Sequence, residues 1–210
     1  MEGRKIPREK DPKRPMVDPD TIDSLLTVAP QVHPLLPVLV MLAWKTGHRL
    51  SSILALRWDD VDFEKRVIWF RGQHDKIGQT WEAPAHPDVL RTLRAFRAAQ
   101  PAIGSALLFP HPKARRHPGK PVTRHLAAYW LNEAFRQGNL VKPVGSLWHA
   151  FRRVWATERK GLSLVDTAAA GGWRDTATLL MYQQSDMETM RAIVEYERPR
   201  ATAKRKKQRG

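Results

Sequence analysis

The sequence predicts an α+β fold, mainly helical, with a small antiparallel β-sheet on one side. Three observations carry this prediction. Apolar residues recur at helical spacing through most of the chain, as in HPDVLRTLRAFRAAQ, where Val89, Leu93 and Phe96 share the inner face and Arg91, Arg94 and Arg97 the outer one. Two short runs, Val67 to Arg71 and QTWEAP, carry the β-branched and aromatic residues of strands, and the break GQHDKIG makes them a hairpin. With 210 residues the chain holds one sizeable domain plus tails, and two full domains would be a squeeze.

The elements follow in order. Residues 1–17 are rich in Pro, Lys and Arg with little to bury, and read as a basic linker or arm. The folded domain, 18–197, opens at DPDTIDSLL, where Asp18 or Asp20 caps a helix that sets Ile22, Leu25 and Leu26 on one face. A buried helix is expected from Pro34 to Lys45, ended by Gly47, which lets the chain turn. A short helix, Ser51 to Leu56, leads into the hairpin, which Pro84 terminates. Beyond the Arg-faced helix lies the loop PHPKARRHPGKP (Pro110 to Pro121), with four Lys or Arg and no acid. Its Lys113, Arg115, Arg116 and Lys120 suit a phosphate backbone.

Further helices are expected at Thr123 to Gln137, Ser146 to Lys160, Leu164 to Ala170, Thr176 to Tyr182 and Asp186 to Glu195. In SLWHAFRRVWATERKG, Leu147, Phe151, Val154 and Trp155 form an inward stripe. His149, Arg152 and Ala156 fall nearly opposite and are expected to face out, where a His and an Arg three residues apart can grip one small anion. Residues 198–210 hold seven Lys or Arg and no acid, and read as a disordered basic tail.

Composition narrows the partners. A formal charge of +15, from 36 Lys and Arg against 21 Asp and Glu, and a pI near 10.6 point to a polyanion, with nucleic acid foremost. Zero cysteines exclude disulfides and thiolate metal sites and fit a reducing compartment. The eight histidines lack ligand spacing, and neither HExxH nor a convincing carboxylate cluster is present, so no metal and no cofactor is expected. The longest apolar run, PLLPVLVMLAW, falls short of the ~20 residues that span a bilayer, so no membrane association is expected.

Four separated segments then matter together: TGHRLSS with Arg49, HDKIGQTWEAP with Lys76, HAFR with His149 and Arg152, and GGWRDTATLLMYQQ with Trp173 and Tyr182. In this order the chain resembles the catalytic domain of the tyrosine recombinases, the phage-integrase family. That family shows a Thr-Gly-x-Arg turn, a hairpin Lys, His-x-x-Arg, and a Leu-Gly-His or Trp followed nine residues later by the nucleophilic Tyr. Here Tyr182 lies nine after Trp173, and Lys76 eight before Pro84.

The resemblance implies the tyrosine-recombinase catalytic-domain fold and a site-specific recombinase that cleaves and rejoins DNA through a 3′-phosphotyrosine. Arg49 and Arg152 would clamp the non-bridging phosphate oxygens, and Lys76 would protonate the departing 5′ oxygen. Tyr182 would attack, helped by His149, and Trp173 would donate its indole N–H to the phosphate. Arg153 would join the loop cations in touching DNA. The partners implied are double-stranded DNA and other copies of the chain, monomeric in solution and tetrameric on paired sites, with residues from Met187 to Tyr196 docking onto a neighbour. A nucleoid-associated protein of the cytoplasm is implied.

The departures matter too. Ser52 stands where relatives usually carry an acid, Arg153 where His is common, and Gly171 where Leu usually precedes Gly172, a change expected to loosen the turn that positions Trp173. Ser52 and Gly171 support a second reading, a catalytically impaired DNA-binding relative with an architectural or regulatory role. A relaxing topoisomerase with the same chemistry is a third. Residues 1–17 resemble the linker after an N-terminal clamp domain, leaving open an isolated catalytic domain or a naturally short member.

Overall fold

A computed structural model of the chain describes residues 16–72, 78–99, 106–113 and 115–195. Its first helix, α1 (Pro19–Val32), starts where the Asp18 side chain accepts the Thr21 N–H and Pro19 fills a position that needs no donor. Ile22, Leu25 and Ala29 are its buried face, and Val17, expected in the linker, is already in the core at 1% exposure.

The second helix, α2 (Leu36–Thr46), is the hub. It is apolar nearly all round, as a helix enclosed on several sides must be, and α1, α3 (Leu50–Leu54), α4 (Pro87–Ala99), α5 (Arg124–Gln137) and α6 (Leu147–Glu158) pack around it. Gly47 ends it at φ +66°, and a Cβ there would meet the Trp155 ring, so both conformation and space demand glycine.

The sheet has three strands in the order β1 (Val61–Asp62), β2 (Val67–Phe70) and β3 (Trp81–Pro84), antiparallel throughout. The hairpin was legible, whereas β1 was not, because two residues show no alternation and are recognised only by pairing Val61 with Ile68. A 3-10 turn at Trp58–Asp60 precedes it, where buried Asp60 accepts the Arg57 N–H at 2.8 Å and an ion pair from Arg71.

The chain then adds α7 (Leu164–Ala170), α8 (Thr176–Leu180) and α9 (Met187–Val194). Each is announced by an N-cap, since Ser163, Asp175 and Asp186 accept N–H bonds from the first turns. The Thr178 N–H also holds the Asp175 carboxyl below its ordinary pKa. A second small apolar cluster, Trp155, Ala156, Ala168, Trp173 and Leu179, joins α6 to α7 and α8. Tyr182, expected at the end of a helix, lies two residues beyond α8, its N–H bonded to the Leu179 carbonyl.

Candidate active site

The site forms where two chain turns meet one helix face: the Thr46–Arg49 turn after α2, the Gly171–Trp173 turn after α7, and the side of α6 that carries Arg152. Arg49, at the N-cap of α3, donates to the Gly172 carbonyl at 3.3 Å. Arg152 reaches the same turn from α6, donating to the carbonyls of Gly171 at 2.6 Å, Gly172 at 3.2 Å and Gly47. The two guanidiniums thus share one acceptor.

Arg152 is 2% exposed, which corrects the expectation that it faces solvent with Ala156, itself fully buried. The turn after α7 meets the second side of α6 through Arg152 and the Trp155–Trp173 stack, and nine residues of the helix are buried. Desolvating a guanidinium needs compensation, and its fork is aimed at three carbonyl oxygens while its Cζ lies 3.4 Å from the Trp173 ring centre. The Tyr182 ring is 5.4 Å from the Arg152 guanidinium and meets Trp173 edge-on at 5.5 Å. His149 stays exposed, with its ring 6.3 Å from that of Tyr182.

Five of the expected site residues, Arg49, His149, Arg152, Trp173 and Tyr182, therefore lie in one linked group. Lys76 falls outside the described residues. The strands that carry its hairpin are in place, and the Gly72 N–H donates to the Thr80 Oγ1 at 3.0 Å. Lys113, Arg115, Arg116 and Lys120 are exposed on a loop held shut by a Pro110–Pro121 bridge and a His111 N–H bond to the Lys120 carbonyl. Arg153 does not belong with them. At 7% exposure it is buried on α6 and does not stand out on the surface as the loop cations do.

Trp173 is 1% exposed, stacked on Trp155 at 5.5 Å, and its indole N–H has no hydrogen-bond partner among the described residues. This stack explains Gly171. A Cβ at 171 would fall 2.6 Å from both Trp155 Cζ3 and Trp173 Cε3. The glycine admits the indoles rather than loosening the turn. Gly171→Ala is therefore expected to destabilise the chain by roughly 1–3 kcal/mol, read as a lower urea midpoint at unchanged slope.

Three contributors were not anticipated. Thr157 receives the Gln184 N–H on its Oγ1 at 3.2 Å and donates to the Tyr182 carbonyl at 3.4 Å, pinning the Tyr182 segment to α6. Lys160 adds an ion pair to Asp186. His48 is buried between Phe70 and the turn after α7, and its pKa is held well below the ordinary value by desolvation first and then by Arg152 and Arg49. Its position inside Thr-Gly-His-Arg was the one available signal. Ser52 is buried at 5% on α3.

Among the described residues no group of His, Cys, Asp and Glu is arranged to hold a metal ion, and no helix is long and apolar enough to cross a membrane. The model of the phage integrase family matches residues 16–189. No curated protein matches the chain by sequence. Among solved structures, XerA recombinase aligns with a TM-score of 0.70 at 16% identity, over 90% of this chain and 65% of that one. The Tn1549 transposon integrase in complex with transposon right end DNA gives 0.70 at 17% identity, over 90% and 67%. A lambda integrase dimer bound to a COC′ core site gives 0.65 at 17% identity, over 84% and 49%. The chain thus spans between about half and two thirds of the length of these proteins.

Proposed function

Because the chain belongs to the phage integrase family and has the fold of a tyrosine-recombinase catalytic domain, we propose that it cleaves and rejoins DNA strands at specific sites. The observation that carries this reading is the convergence of two guanidiniums, an orphan indole N–H and a phenol on one turn.

In this reading the Tyr182 oxygen attacks a backbone phosphorus. A phosphotyrosyl bond forms to the 3′ side while the bond to the 5′ oxygen breaks, and that oxygen leaves with a proton from Lys76. The phenol's own proton passes to His149, exposed beside it. Arg49 and Arg152 offset the charge that builds on the non-bridging oxygens, a task for which a planar, permanently charged fork is suited, and Trp173 donates its buried N–H there. Religation reverses these steps and needs no external energy, because the phosphotyrosine keeps the bond's energy.

Lys113, Arg115, Arg116 and Lys120 support a backbone contact to duplex DNA, standing exposed on a closed loop with no acid in it. Assembly of several copies on paired sites is supported by α9, which buries none of its residues on its own subunit and leaves Met187, Ile193 and Val194 exposed. An enzyme of this kind would work at the chromosome, in the cytoplasm.

The test selects bound duplexes from a random pool and rebuilds them with a nick beside each candidate cleavage position, so that the cut strand diffuses away. An SDS-resistant adduct is the expected result. Tight, selective binding without any adduct refutes strand cleavage and leaves the architectural role, which Ser52 and the carbonyl-bound Arg152 favour. Relaxation of plasmid without a selected site indicates the topoisomerase.

A further inference from the structure

His48 has no role in the reading above, yet it occupies the junction on which that reading depends. Its ring stacks on Phe70 of β2 with centroids 3.6 Å apart and planes 10° from parallel. On the other side its Nε2 lies 3.2 Å from the Ala170 carbonyl at the end of α7. A carbonyl oxygen only accepts, so Nε2 carries the proton. Gly172 closes the space at φ +67°, where a Cβ would lie 2.6 Å from the His48 Cε1. The neighbours of His48 in sequence complete the picture: the Gly47 carbonyl receives Arg152, and Arg49 donates to Gly172.

We propose that His48 is a positioning residue of the phosphate-binding centre, a flat donor that sets the separation between the turn carrying Arg49 and the turn carrying Trp173. The proposal rests on the recombinase reading for its consequence, though not for its geometry. Only a thin ring fits between Phe70 and the Gly172 backbone, and only one with a donor at its far edge ties down Ala170. A carboxylate in its place would draw both guanidiniums onto itself and away from a substrate phosphate, and an added cation would repel them. Neutral imidazole does neither. The charges acting on it are Arg152 from α6 and Arg49 from its own turn, while β2 presents Phe70 and the turn after α7 presents backbone.

Two measurements decide it. The imidazole nitrogens of the ¹⁵N-labelled chain are observed by long-range proton–nitrogen correlation, with His48→Gln identifying the resonance. The expected signal is an Nε2–H tautomer whose shifts stay fixed from about pH 8 to about pH 5.5, through the ordinary value of ~6.5. An Nδ1–H tautomer, or titration at the ordinary value, overturns the proposal. The second measurement compares adduct formation. His48→Phe keeps the ring and the stack but loses the donor, and should slow the adduct by about tenfold to a hundredfold, as misaimed groups do, with duplex affinity within about twofold of the parent. A His48→Phe rate equal to the parent's overturns the proposal. If the parent chain binds DNA and forms no adduct, the recombinase reading fails, whereas the nitrogen spectrum still decides the place of His48.

Discussion

Tyr182→Phe is expected to lower the yield of covalent protein–DNA adduct by at least ~10³-fold, while leaving duplex affinity and the unfolding midpoint unchanged. The substitution removes one oxygen and keeps the ring. That ring is what packs: it meets Trp173 edge-on at 5.5 Å and joins the small apolar cluster between α6 and α8. The hydrogen bond from Thr157 goes to the Tyr182 backbone carbonyl, so it survives as well. Every structural role of the residue is thus retained and only the nucleophile is lost. Tyr129 serves as the control, being 63% exposed on α5 and apart from the site, so that Tyr129→Phe should leave the adduct intact. An adduct that persisted in Tyr182→Phe would move the nucleophile elsewhere and break the link between the phenol and the shared turn.

What the sequence made legible was what neighbours along the chain decide. The expected span of α7 matches residue for residue, with Ser163 capping it and Gly171 stopping it, and the expected spans of α5 and α9 differ only in counting the caps Thr123, Asp186 and Glu195 as helix. The catalytic residues came from motifs matched to a family pattern, and the five of them that fall within the described residues lie together. Decisions made between distant segments were not legible. A periodic stripe on α6 says which side faces the main core, but not that the turn after α7 arrives on the other side and takes up Arg152. The Gly171 substitution reads as a loosened turn until the stacked indoles of Trp155 and Trp173 are placed beside it. His48 is the extreme case, since neither Phe70 nor Ala170 has any local relation to it in the chain.

The burial of Arg152 separates two roles that the motif alone joins, and the separation can be measured. Arg152→Lys is expected to destabilise the chain by roughly 2–5 kcal/mol, because an ammonium has no planar fork to serve three carbonyls and no flat face for Trp173, and buried acceptors left unserved each cost about 1–3 kcal/mol. The carbonyls at stake belong to Gly47, Gly171 and Gly172, so the loss falls on the joint between α2, α6 and α7. Arg49 is half-buried at the start of α3, and Arg49→Lys should cost only about 1 kcal/mol. Both variants should slow adduct formation by about a hundredfold or more, since each replaces a planar fork that can serve two phosphate oxygens with a point charge that cannot. The expected pattern is therefore equal damage to chemistry and unequal damage to the urea midpoint. Equal midpoints for the two variants would mean that Arg152 is no staple, and that the carbonyls around it are satisfied by other means. If Arg152→Lys lost stability yet kept the adduct rate, the guanidinium would be structural alone, and the clamp on the phosphate would fall to Arg49 and Trp173.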